Sequence, residues 1–237
     1  MTLRELGAVY VQHPTVLTYG ALLVASVTLA ISLSEGPLSA RAFQVTVPAA
    51  VAVLVYPLAE YVLHRFLLHS TFLYRSPLTV SVWRRIHYDH HADPDDLRVL
   101  FGALPTTLPI IAAVTLPIGL AISDMSGAAA AFGAGVACML VYEFCHCLDH
   151  LRCGPRNRVL EAMRRRHLLH HFHNERGNFG ITSFVCDRLV GTLYDSRGAV
   201  PRSETVFNLG YGEAERRRYP WLARISDTPE AADRANR

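Results

Sequence analysis

The chain has 237 residues, enough for one large domain or two small ones. Hydrophobic residues make up 51% and charged residues only 18%, with a formal net charge of +3. That charge is low for a soluble domain and sits in patches, so the composition argues against a soluble protein and for a membrane protein with one polar side.

Four segments have the length and apolarity to cross a bilayer: about 16–34, 43–63, 99–122 and 128–144. Each approaches the roughly 20 apolar residues that span about 30 Å of hydrocarbon. Helices are expected, because lipid satisfies no backbone hydrogen bonds. Pro48 and Pro57 interrupt the second segment, and Pro105, Pro109 and Pro117 the third, so kinks are expected there. The loops 35–42 and 123–127 are short, which predicts two antiparallel hairpins.

Arginine sets the orientation. All 23 basic residues are Arg, which reads as the codon usage of a GC-rich bacterial genome. Loop 35–42 has only Arg41 and loop 123–127 none. The stretch 64–98 carries Arg65, Arg75, Arg84, Arg85 and Arg98, and eight more lie in 152–188. The positive-inside rule then places both stretches and both termini in the cytoplasm, here beneath a bacterial inner membrane. The expected architecture is a single all-α membrane domain over 1–237. It has four transmembrane helices, a cytoplasmic helical cap from 64–98 and 145–212, and a polar tail from 213. The tail reads as a surface helix followed by disorder. Phe72–Ile86, with Trp83 beside Arg84 and Arg85, reads as interfacial. Asn157–His171 reads as an amphipathic helix, with Pro155 near its start. No cleavable signal peptide, repeat or low-complexity segment is evident.

The five cysteines (Cys138, Cys145, Cys147, Cys153, Cys186) are odd in number and lack CxxC spacing, which argues against a disulfide framework. Cys145 and Cys147 flank His146. They read as small apolar side chains in preference to thiolate ligands.

Histidine carries the chemistry. Ten of the twelve lie in four clusters: HRFLLH (His64, His69), HYDHH (His87, His90, His91), HCLDH (His146, His150) and HLLHH (His167, His170, His171). Each cluster begins at or soon after a helix end on the cytoplasmic side. His146 and His150 are i and i+4, so both rings leave one helix face. In the two triplets the first histidine is three and four positions from the others, so one turn can present three rings. His64 and His69 are five apart, about 140° on an ideal helix. Either they serve different ions or the helix distorts.

Ten imidazoles near lipid without a purpose would be costly. They are also too many for one ion, since first-row metals take four to six ligands, so two ions are expected. Imidazole suits Fe, Zn, Cu and Ni alike. Glu60, Asp89, Glu143 and Asp149 read as groups that orient imidazole N–H, because a second matching Glu-x-x-His helix is missing. HExxH is absent, which argues against a zinc protease. His13 reads as a satisfied polar residue. Tyr142 reads equally as facing the metals or as an interfacial aromatic. Asn178, Phe179 and Gly180 read as a tight turn, with Gly177 and Gly180 supplying backbone freedom.

These residues resemble the fatty acid hydroxylase branch of the membrane sterol desaturase/hydroxylase superfamily. The likeness runs through EYVLHRFLLH (60–69), HYDHHADPDDLRVLF (87–101), HCLDH and HLLHHFHNERGNFGITSFVCDRLVGTLY (167–194), covering about residues 55–195. EYxxHRFxxH and the FGITS–D–GT ending are most similar to fatty acid 2-hydroxylases. The resemblance implies a non-haem centre of two Fe ions held by the ten histidines, with Zn accepted by the same ligands. It implies O2 as co-substrate and a membrane lipid substrate hydroxylated at carbon 2 of its acyl chain. It also implies a separate electron donor, such as a ferredoxin or a cytochrome b5-like protein with its reductase. No fused cytochrome b5 domain is expected, because the one His-Pro pair, His13-Pro14, lacks a following Gly-Gly. His173 falls where related sequences can carry His and reads as supporting the ligands. Arg84, Arg85 and Arg164–Arg166 would suit an anionic head group, though ordinary positive-inside charge explains them better.

Other readings stay open from sequence. A sterol, carotenoid or aminolipid oxidase of the same superfamily shares the clusters. A bis-histidine haem protein would want pairs mid-helix, and a metal transporter would want ligands near the midplane. No nucleic-acid partner is expected.

Overall fold

A computed structural model describes residues 2–94, 96–151, 157–210 and 212–222. Arg152, Cys153, Pro155 and the end of the chain from 223 lie outside the described residues. In chain order the helices are α1 (Leu3–Gln12), α2 (Pro14–Leu33), α3 (Leu38–Leu63), α4 (Val80–Trp83), α5 (Asp89–Ala92), α6 (Leu97–Leu100), α7 (Leu104–Ile122), α8 (Met125–His150), α9 (Arg158–Phe172), α10 (Val185–Val190) and α11 (Glu213–Arg218). Among the described residues there is no strand. The chain divides into two compact units: Met1–Glu60 with Gly102–Pro155, and Tyr61–Phe101 with Arg156–Arg237.

The first unit holds the long helices. Four helices are long and apolar enough to cross a membrane, in the regions Pro14–Leu33, Leu38–Arg75, Arg98–Ile122 and Met125–His150. α2 starts where Pro14 supplies a preset φ and His13 Nδ1 accepts the Thr15 N–H at 3.3 Å, so His13 is a helix cap. α8 starts on Asp124, whose carboxylate accepts the N–H groups of Ser126 (2.7 Å) and Gly127 (3.4 Å). α8 then extends through His150, so the HCLDH residues ride on the spanning helix itself.

Small residues on α8 organise this unit. Ala128–Ala131, Gly133 and Gly135 let neighbouring backbones close in, which is how apolar helices associate where the hydrophobic effect is weak. At Gly133 a Cβ would lie 3.1 Å from the Ser26 Cβ of α2. At Gly135 it would lie 2.7 Å from Thr115 Cγ2 of α7, and at Gly119 2.3 Å from the Gly127 carbonyl. Connectivity makes two hairpins, yet α2 packs chiefly on α8, and Ala30 meets Ala129 and Ala130 beside Val45 and Ala49 of α3. α1, which the sequence reading did not separate from its surroundings, is fixed by a Thr2/Glu5 capping box and by the Tyr10 hydroxyl donating to the Leu140 carbonyl at 2.7 Å.

The second unit is made of short pieces. Two π-helical turns interrupt it, His64–Leu68 directly after α3 and Arg84–Tyr88 between α4 and α5. In the first, the His69 N–H reaches the His64 carbonyl five residues back at 3.1 Å. Its apolar core is Leu73, Tyr74, Val80, Trp83 and Leu222. Trp83 is 1% exposed, packed at 5.1 Å from the Tyr74 ring and 4.6 Å from the Tyr88 ring, so it is a core residue of the described structure and not an interfacial aromatic. An aromatic beside arginines carries the same local signature in either setting. Likewise the segment after α11 is not all free tail, because Leu222 is buried and Trp221 Nε1 donates to the Tyr74 carbonyl at 2.8 Å.

Candidate metal centre

In the second unit five histidines meet. His64 opens the first π turn, and His69 ends it. His87 lies in the second π turn, His91 on α5 and His170 on α9. Each offers a ring nitrogen, and these nitrogens all lie within 4.8 Å of one another. Nε2 of His64 is 3.2 Å from Nε2 of both His87 and His69, and the His87–His69 separation is 2.8 Å. The π turn explains the first pair. On an ideal α-helix a five-residue spacing points two rings apart, whereas i→i+5 bonding winds the backbone so that they share a face. Of the two options left open by spacing, helix distortion is the one observed.

Backbone carbonyls orient these rings. His64 Nδ1 is bonded to the Phe179 carbonyl, His170 Nδ1 to the Gly177 carbonyl at 2.7 Å, and His91 Nδ1 to the Val206 carbonyl at 3.1 Å. A carbonyl only accepts, so each Nδ1 carries the proton and leaves Nε2 its lone pair. Burial, and then the neighbouring imidazoles led by His91, hold His87 well below the usual histidine range, in its neutral form. Neutral lone pairs converging in a buried pocket are what a cation binds, so the donor set fits a transition metal.

Each triplet divides. His87 and His91 join the five-histidine group while His90, between them, turns the other way. On α9, His170 joins it while His167 and His171 do not. The remaining rings in this unit form a second set, with His90 and His167 each near His171 at centroid separations of 4.6 and 4.5 Å. One helical turn offers two faces, and the three- and four-residue spacings feed both.

In the first unit His146 and His150 are buried one turn apart on α8, with ring centroids at 4.8 Å. Tyr142 packs on His146 at 5.6 Å. Glu143 is fully buried and its Oε1 accepts the Gly102 N–H at 2.9 Å. Glu60 and Asp149 are buried as well. Asp89, expected to orient an imidazole, forms an ion pair with Arg84 at 2.8 Å. His173 stands apart from both histidine sets, with Nε2 bonded to the Val200 carbonyl at 2.9 Å. Arg166 pairs with Asp195 at 2.7 Å. The partners of Arg84 and Arg166 favour a structural role for these arginines over a head-group role.

Two buried carboxylates escaped the sequence reading. Asp187 on α10 is fully buried and accepts three donors: the Phe179 N–H (2.9 Å), the Gly180 N–H (2.8 Å) and the Thr192 hydroxyl (2.7 Å). It thereby fixes the peptide whose carbonyl holds His64. Glu175 accepts the Ser203 and Thr205 hydroxyls at 2.9 and 2.6 Å, tying down the strip that ends in the Val206 carbonyl behind His91. Asn178 adds a third lock. It adopts φ of 56°, in the left-handed region that Asn tolerates, and exchanges two 2.9 Å hydrogen bonds with the Tyr194 backbone. Gly180 has no room for a side chain, since a Cβ there would lie 2.0 Å from the Ser183 carbonyl. The one available signal was the FGITS–D–GT ending, whose aspartate is Asp187.

Among the described residues, helices without strands, four of them of bilayer length, and a buried imidazole group that could hold a cation mark a membrane protein with a candidate metal site. The fatty acid hydroxylase family model matches residues 49–192, and the chain belongs to that family. It is 35% identical over 158 residues to the dihydroceramide fatty acyl 2-hydroxylase FAH1 of Arabidopsis thaliana, covering 64% of this chain and 62% of that protein. It is 34% identical over 145 residues to the ceramide very long chain fatty acid hydroxylase SCS7 of Saccharomyces cerevisiae, covering 60% of this chain and 36% of that one. Human fatty acid 2-hydroxylase is 27% identical over 140 residues, at 59% and 37% coverage. The alignments thus span less than two thirds of these relatives' own lengths. Among solved structures, the hydroxylase domain visible in full-length scs7p superposes with a TM-score of 0.65 at 26% identity, covering 80% of this chain and 68% of that one.

Proposed function

We propose that this protein is an O2-dependent membrane lipid hydroxylase that adds oxygen to the acyl chain of a fatty acid or sphingolipid, at the carbon next to the carbonyl. The observation that carries the proposal is the group of five converging imidazoles, three of them held by backbone carbonyls. The relatives' names supply the substrate class and the carbon.

In this reading one iron ion is held by His64, His69, His87, His91 and His170. His90, His167 and His171 would contribute to holding a second. Bound iron, once reduced by the external donor, would pass electrons to O2 and so supply the oxidant for an unactivated C–H bond, which no side chain provides. The chain's own contribution is positional. The carbonyls of Phe179, Gly177 and Val206 hold the Nδ1 protons of His64, His170 and His91, keeping Nε2 free for metal. Burial holds His87 in its neutral form. Electrons come from a separate ferredoxin or cytochrome b5-like protein with its reductase. The arginine distribution supports a cytoplasmic side for the histidines.

The test is mass spectrometry of host lipids after expression, with a His170→Ala, His171→Ala control. One added oxygen on the acyl fragment, absent in the control, is expected. Oxygen found on a head group or sterol would redirect the substrate assignment. Unchanged lipids beside a metal-loaded protein would favour a non-catalytic metal protein.

A further inference from the structure

Helix α10 presents a face that the metal chemistry does not use. Val185, Leu189 and Val190 are 60%, 80% and 55% exposed, and exposed Arg188 sits among them. Positions 185, 188 and 189 fall on one side of a helical turn, while Asp187 faces the interior. Gly191, at φ +79°, ends the helix and turns the chain back. Water does not favour a six-residue helix with this much apolar surface outward.

The position of α10 is fixed within its own unit. Asp187 bonds the Thr192 hydroxyl, and Thr192 and Tyr61 share a hydroxyl–hydroxyl bond at 3.2 Å. The Phe179 ring, whose N–H is also held by Asp187, meets the Tyr61 ring edge-on at 5.8 Å. Tyr61 belongs to the last turn of α3, at the end of the apolar run 43–63, and the first charged residue after that run is Arg65. A run of this length fills the roughly 30 Å of hydrocarbon, so Tyr61 marks its edge. Val62 and Phe66, on the same stretch, are 42% and 58% exposed.

We propose that α10 rests in the bilayer interface as a second lipid contact of this unit. Val185, Leu189 and Val190 enter the acyl boundary, and Arg188 reaches lipid phosphate. Three side chains on six residues are too small a patch for a stable protein interface, which buries about 1,000 Å² or more. A bilayer needs no such area, and the tie to Tyr61 makes the α10 surface continuous with the lipid-facing end of α3. The inference rests on α3 as a membrane span and not on the hydroxylase reading, so either can fail alone.

The test uses the full chain in cell membranes, with p-benzoylphenylalanine replacing Leu189, or Val185 in a parallel variant. The exposed polar position Arg197 serves as control. After irradiation, mass spectrometry is expected to find phospholipid adducts at 189 and 185, with loss of the signal to background at 197. Cross-links from 189 and 185 to protein, or no lipid adduct at either position, overturn the proposal.

Discussion

In the unit built from Met1–Glu60 and Gly102–Pro155, long helices meet through alanine and glycine, and few polar side chains cross between them. In the unit built from Tyr61–Phe101 and Arg156–Arg237, helices run from four to fifteen residues, and side chains close repeatedly onto backbone. Bare helix-on-helix packing suffices where the solvent is hydrocarbon and every backbone group is satisfied within its own helix. The metal centre proposed for the second unit needs rings held at fixed angles, which packing alone does not supply. The second unit therefore uses carboxylates and carbonyls as struts.

The comparison breaks most completely at the histidines. His170→Ala is expected to abolish acyl hydroxylation and to lower the metal content of purified protein, read by elemental analysis. Chelation of the wild type should do the same, and iron should restore activity. Asp187→Ala comes next. It strands the two buried N–H groups of Phe179 and Gly180, each worth about 1–3 kcal/mol, so a loss of about 2 kcal/mol or more in unfolding is expected, with weaker metal retention. A stable, fully loaded Asp187→Ala protein would show that the strut on the Phe179 peptide is dispensable.

The first unit has its own weak point. Gly119→Ala places a Cβ against the Gly127 carbonyl and Ala128 Cα at 2.3 and 2.4 Å, both rigid backbone. A cost of about 1–3 kcal/mol is expected, read as a lower thermal midpoint in detergent. The smallest effect belongs to the surface. The hydrogen bond from Arg166, and then its charge, hold Asp195 below the usual carboxylate range. A depressed carboxyl stabilises the fold above its unfolded pKa and loses that contribution as pH falls through the folded value. Asp195 is half exposed, so Asp195→Asn is expected to cost less than about 0.5 kcal/mol at neutral pH and nothing in acid, read by urea unfolding.

Much of this architecture was legible beforehand. Apolar run length gave the four bilayer-length helices, and five of the ten histidines that spacing singled out meet in the second unit. The division of each triplet was not legible, because three- and four-residue spacings serve either face of one turn. Spacing also left the His64–His69 pair open, since a π turn has no sequence signal as plain as a cap or a proline. The carbonyls of Phe179, Gly177 and Val206 were invisible for a simpler reason: every residue has one. Asp187 and Glu175 were missed because a lone acid, on a short helix or in a loop, looks like solvated surface until its donors are known. Trp83 and Leu222 show the same limit, since burial depends on neighbours far away in the chain.

The π turn at His64 has a consequence for how such centres are encoded. A straight α-helix puts positions i and i+4 on one face, and the wider winding does so for i and i+5. A four-residue gap on a regular helix and a five-residue gap on a widened one thus offer a cation the same two rings. Gap length and pitch can trade against each other, so a search keyed to one fixed spacing would pass over chains that build the same grip.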